Sequence, residues 1–155
     1  MISCDAKPGD VIYVHHSLLL VPYVHYGVYV GDNEVIHYGN NGGSAGIIRS
    51  TDIQGFLDGT DEFFRCSFPS SREALRLVLK QKGKNRSFIA DRLADFDAIE
   101  YHTYSPEETI ERARAHVGME NYSLWGLNCE HFARWCKTGV GESTQINTFF
   151  DTILG

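Results

Sequence analysis

What most constrains this 155-residue chain is a change of hydrophobic period near its middle. Before it, short runs of Val, Ile and Tyr are cut by turn residues; after it, apolar residues recur at helical spacing behind capping signals. The runs at 11–16 (VIYVHH), 26–30 (YGVYV) and 35–38 (VIHY) have the composition that strands prefer. Gly31-Asp32-Asn33-Glu34 between the last two predicts a hairpin, because Gly and Asn tolerate positive φ. Asn40-Asn41-Gly42-Gly43-Ser44 reads as a loop, with a further short strand at 45–49. In the second half, Ser70 or Ser71 caps a predicted helix through about Lys82, with Ala74, Leu75, Val78 and Leu79 on one face and Gly83 as its stop. Ser105-Pro106-Glu107-Glu108 carries a capping box and a first-turn proline, predicting a helix to Val117 closed by Gly118. Asn128 caps a last helix to about Thr138, ended by Gly139. Strands first and helices afterwards predict an α+β fold, an antiparallel sheet packed on helices. The length suits one domain over 1–155, and no internal repeat divides it.

Lys and Arg number 14 against 20 Asp and Glu, a formal charge of −6. That excludes broad electrostatic capture of nucleic acid or of an anionic membrane surface, but leaves neutral lipids and small molecules open. The longest apolar stretch, 18–24, has seven residues including Pro22. A spanning helix needs about 20 apolar residues, so none is expected. The first residues hold an early acid and no apolar core, so no secretory signal is read. The cysteines at 4, 66, 129 and 136 form no CxxC pair, which suggests a reduced, cytoplasmic protein. Seven histidines and four cysteines lack metal-ligand spacing, so neither metal nor cofactor is expected. Oligomeric state is left open.

Cys129 falls in the first turn of the last predicted helix, where unpaired amides and the helix dipole stabilise a thiolate. A cysteine nucleophile needs a base in reach and a second group to orient it. His25 and His37 sit on strands joined by a tight turn, and neighbouring antiparallel strands can place them on one face. The constellation is Cys129 as nucleophile, His25 as general base and acid, and His37 as orienter. On spacing alone the same residues also fit a small buried thiol and two hydrogen-bonded histidines.

The local motifs carry further. His25-Tyr26-Gly27-Val28-Tyr29-Val30-Gly31-Asp32, then Val35-Ile36-His37, then Asn128-Cys129-Glu130-His131-Phe132-Ala133, resemble the lecithin:retinol acyltransferase-like (H-box/NC) family. Lys7-Pro8-Gly9-Asp10-Val11-Ile12 resembles its opening strand, and the sequences around Trp125 and Trp135 match as well. The resemblance implies a circularly permuted papain-like fold, with the base ahead of the nucleophile along the chain. It also implies thiol-based transfer of an acyl group from a phospholipid to an alcohol, an amine or water. By motif position Cys129 carries the acyl group, His25 shuttles the proton, His37 holds His25, and Tyr23 helps line the oxyanion site. The implied partner is a lipid or small acyl ester, with at most transient membrane contact. The best-known relatives add a transmembrane helix that this sequence lacks, and residues 60–100 read as an insertion.

His131 lies two residues from Cys129, so helix geometry turns it away and makes it structural. Cys136 reads as core, and Asp5, Asp10 and Asp32 as turn residues. The segment 18–24 is either a lipid-facing loop beside the site or a buried strand extension. Two other functions stay open: a peptidase or amidase of the same fold, and a binding module that leaves the cysteine unused.

Overall fold

The structure is a computed structural model that describes residues 5–18, 20–40, 46–68, 73–74, 102–120 and 129–139. Its strands are β1 (Val11–Leu18), β2 (Val21–Gly31), β3 (Glu34–Asn40), β4 (Gly46–Asp52) and β5 (Phe64–Cys66). A short helix α1 (Ile53–Leu57) follows β4, and α2 (Pro106–Ala115) and α3 (Cys129–Thr138) come later. The strands form one sheet in the order β4-β3-β2-β1-β5, and every described neighbouring pair is antiparallel. The α+β expectation therefore holds.

Alternation along the strands buries both faces of the sheet. Ile12, Val14, Tyr29 and Val35 pack with Ile53, Phe56 and Leu57 of the α1 region on one face. On the other, Val11, Val28, Ile36, Tyr38 and Ile48 pack with Ala113 of α2 and Phe132, Ala133 and Cys136 of α3. Full burial of one such side chain is worth about 1.5–3 kcal/mol. Arg112 ties α2 to α3, its guanidinium 3.7 Å from the Trp135 ring centroid and its Nη2 donating to the Trp135 carbonyl at 3.0 Å.

The β2–β3 hairpin turns on Asp32 and Asn33 at φ of 50° and 63°, the left-handed pair that a two-residue turn requires. The capping box is present: Ser105 Oγ accepts from the Glu108 amide and the Glu108 carboxylate from the Ser105 amide. This helix ends at Ala115 rather than Val117, because the His116 amide already bonds back to Ala113 and the Gly118 amide to Ile48 of β4. Within the stretch read as an insertion, residues 64–66 are an edge strand paired with β1. Of the two readings open for 18–24, the described residues favour the exposed one: Ser17 pairs with Pro22 near the β1–β2 turn, and Leu20 stands 95% exposed at φ 68°. Of the helix expected over 70–82, residues 73 and 74 are described and helical; the rest, the Asn40–Ser44 loop beyond Asn40, and the Asn128 cap lie outside the described residues.

Candidate active site

The site begins with the strand register. Tyr29 opposes Val35 across β2 and β3, so period-two alternation puts His25, Gly27 and His37 on that same face. Across β3 and β4, His37 opposes Arg49 and Val35 opposes Thr51, which adds both β4 side chains to it. A Cβ at Gly27 would lie 2.7 Å from Val35 Cγ1, 2.8 Å from Phe56 Cε2 and 3.2 Å from His37 Cβ. Only glycine lets Phe56 and His37 settle there. Phe56 in turn flanks both imidazoles, its ring centroid 5.2 Å from that of His25 and 5.3 Å from that of His37.

The polar atoms form a chain. His25 Nε2 and His37 Nδ1 are 2.9 Å apart, and His37 Nε2 lies 3.0 Å from Thr51 Oγ1. The Thr51 hydroxyl donates to the Asp52 carbonyl at 3.0 Å, which leaves its oxygen to accept from His37 Nε2–H. His37 then presents a bare Nδ1, which accepts from His25 Nε2–H. The lone pair of His25 is left on Nδ1, so the hydrogen-bond network assigns the base nitrogen. Burial holds His37 down to about 3, helped by His25 and Arg49. Burial, His16 and Arg49 hold His25 down to about 4 against the opposing Asp58 carboxylate. Both rings are neutral near pH 7.

Cys129 approaches from the helical side. The Tyr29 amide and carbonyl bond to Asp10 and Gly9, so odd-numbered β2 residues turn their backbone groups toward β1 and even-numbered ones toward β3. On that second side, the Tyr26 amide donates to Cys129 Sγ at 3.5 Å, and Sγ lies 3.8 Å from the Val24 carbonyl. The sulfur thus takes the position of a β3 backbone partner and grips the two residues that flank His25. Thiol and histidines meet in a cavity of about 440 Å³ lined also by His16, Tyr23, Arg49, Phe56 and Asp58.

All four sequence candidates, Cys129, His25, His37 and Tyr23, line this cavity. Tyr23 is 44% exposed, and its ring stacks at a tilt 5.4 Å from His16. Cys136 is fully buried in the core, and burial pushes its thiol up. The side chain of His131 and the whole of Cys4 lie outside the described residues. Sequence reasoning missed Thr51, Arg49 and Phe56. Alternation counted from His37 across to β4 flags the first two once the strand register is known. No local signal marks Phe56.

A family model described as lecithin retinol acyltransferase matches residues 4–142. The chain is 31% identical over 157 residues to lecithin retinol acyltransferase of Homo sapiens, covering 94% of this chain and 60% of that protein. It is 27% identical over 143 residues to phospholipase A and acyltransferase 3 of Mus musculus, covering 92% of this chain and 76% of that protein. Phospholipase A and acyltransferase 1 of Rattus norvegicus is 28% identical over 158 residues, with 96% and 78% covered. The chain spans about 60% of the length of the lecithin retinol acyltransferases it matches.

Proposed function

The chain belongs to the lecithin retinol acyltransferase family, and from that premise we propose that it is a thiol-dependent acyltransferase or phospholipase-type hydrolase acting on lipid esters. One observation carries the reading: Cys129 Sγ is held against the backbone on both sides of His25, whose ring is bonded to His37 at 2.9 Å. His25 Nδ1 takes the thiol proton as Sγ attacks the ester carbonyl carbon. The tetrahedral intermediate collapses, the carbon–oxygen bond breaks, and His25 returns the proton to the departing alkoxide. An alcohol, an amine or water then attacks the thioester, losing its proton to His25 and regenerating the thiol on proton return. Tyr23, which lines the same cavity, supplies a hydroxyl donor for the oxyanion in this reading.

In this reading residues 1–155 form a single domain of circularly permuted papain-like fold. The chain order supports it, since the strands bearing His25 and His37 precede the helix bearing Cys129. We place it in a reducing compartment such as the cytoplasm, where an unpaired thiol stays reduced. No helix among the described residues is long and apolar enough to cross a membrane. Lipid then reaches the cavity by transient contact at the β1–β2 tip, where Leu20 and Pro22 are exposed.

Intact-protein mass spectrometry after incubation with phosphatidylcholine vesicles tests the proposal. One acyl adduct is expected, mapped to Cys129, released by hydroxylamine and absent from Cys129→Ser. An adduct on Cys66 overturns the nucleophile assignment. No adduct from vesicles or from a soluble short-chain ester leaves a binding module in place of the enzyme.

A further inference from the structure

The cavity holds a cation that the acyl-transfer chemistry does not use. Arg49 opposes His37 across β3 and β4 and lines the same cavity as Cys129. Its guanidinium gathers over Gly39: a Cβ built there would lie 3.7 Å from Arg49 Nη2, 3.8 Å from Arg49 Nε and 3.7 Å from His37 Nδ1. The absent side chain of Gly39 thus opens one spot flanked by the guanidinium on one side and the catalytic imidazoles on the other.

Arg49 Nε is buried and has no hydrogen-bond partner. Among the described residues no carboxylate pairs with this guanidinium: Glu34, the acid of the neighbouring strand, is held by Arg114 at 2.8 Å and by the Ser50 hydroxyl. Asp58 lines the cavity without an ion pair to Arg49 among those residues. A guanidinium cannot shed its proton, and a buried, unsatisfied charged donor is costly. It also depresses both histidines, which works against their role as bases. A fork of donors at a cavity wall, its buried Nε without an acceptor and no carboxylate paired to it among the described residues, is complementary to an anion with several oxygens.

We propose that Arg49 binds the phosphodiester of a glycerophospholipid acyl donor, anchoring the headgroup so that an ester carbonyl is presented to Cys129. The proposal rests on the acyl-transfer reading above and specifies which part of the donor this wall of the cavity recognises. A neutral ester lacks the anion, and inorganic phosphate lacks the acyl chains that fill the remaining cavity.

Binding measured in the Cys129→Ser background separates this proposal from the chemistry, because no turnover is needed. Dihexanoyl phosphatidylcholine, dihexanoylglycerol and inorganic phosphate are titrated by calorimetry below micelle-forming concentrations. The phospholipid is expected to bind at least 10-fold more tightly than either comparison ligand. Adding Arg49→Gln should weaken the phospholipid at least 10-fold and dihexanoylglycerol much less; Arg49→Lys, which keeps the charge but not the fork, should fall between. Equal weakening of phospholipid and neutral lipid overturns the proposal, as does unchanged phospholipid binding. Inorganic phosphate binding as tightly as the phospholipid overturns the donor assignment in favour of a free-anion site. Should Arg49→Gln fail to fold, the ligand preference of the parent protein and the Arg49→Lys series still decide. A positive binding result with no acyl adduct on Cys129 would retain Arg49 as a headgroup site and remove the enzyme.

Discussion

Thr51 decides which nitrogen of His25 is basic, although it touches neither His25 nor the thiol. Its hydroxyl points at the Asp52 carbonyl, so its oxygen receives His37 Nε2–H and the polarity of the whole chain is set. His25→Ala is expected to abolish turnover by removing the group that takes and returns the proton, while His37→Ala reduces it by removing the orienting partner. An orienter can still matter by about 10⁴ in the serine triad, so the comparison is of kcat in folded variants rather than of activity scored as present or absent. Thr51→Val keeps the shape and removes the acceptor; kcat should fall by about 10–100-fold with little change in KM, by analogy with outer partners that orient a functional histidine. Thr51→Ser should restore it, and nitrogen NMR of the imidazoles should show His37 tautomers mixing in the valine variant alone. Equal kcat in all three proteins would remove Thr51 from the site. Cys129, His25 and His37 were legible in the sequence because motifs surround them. Thr51 and Arg49 were not, because only their register opposite β3 gives them a role.

At the scale of elements, the β1–β2 hairpin is unusual for its tip. Two-residue turns favour Asn and Gly because positive φ is costly for other residues, about 1–3 kcal/mol. Here that position holds Leu20, at φ 68° and 95% exposed. A strained apolar residue in water, at the end of the strand that carries His25, is consistent with a lipid-contact role. Leu20→Asn is expected to stabilise the fold slightly while weakening activity on phospholipid vesicles several-fold. Activity on a soluble short-chain thioester should be retained, and equal loss on both substrates would tie the tip to the fold rather than to the interface. The hairpin at Asp32-Asn33 and the Ser105 capping box were readable because their chemistry is local. The strand at Phe64–Cys66 was not: three residues carry too little periodicity, and their partner, β1, is some fifty positions earlier. The helix Ile53–Leu57 is shorter than two turns, and its Asp52 cap had no apolar repeat to point to.

Across the whole molecule, the sheet separates the two histidines from the Cys129 thiol and then brings them to one cavity. The histidines rise from the face that packs against α1, whereas Cys129 belongs to the helix on the opposite face. They come together beside β2, where the thiol occupies a backbone position on the side toward β3. Holding two imidazoles buried and neutral in that passage links the site to the stability of the fold. His25 is held at about 4 and His37 at about 3 against an ordinary value of 6.5. Between 6.5 and the depressed values the unfolded chain binds protons that the folded one refuses, so stability must fall as pH falls. Each histidine contributes a slope of about 1.4 kcal/mol per pH unit in that window, and its contribution is fully present above 6.5. Glu34, lowered by its bonds to Arg114 and Ser50, loses its contribution only below its ordinary value of 4.5, so a decline between pH 6.5 and 4.5 belongs to the histidines and the two effects overlap only below that. Urea denaturation at pH 7.5, 6.0 and 5.0 should show a decline that is much flatter in a His25→Gln, His37→Gln double variant. The acid limb of kcat/KM for the parent protein should lie below pH 5, because His25 stays a free base until then. A decline of the same slope in the double variant, or an acid limb centred at 6.5, would mean that the two rings are solvated and that the cavity does not keep them dry.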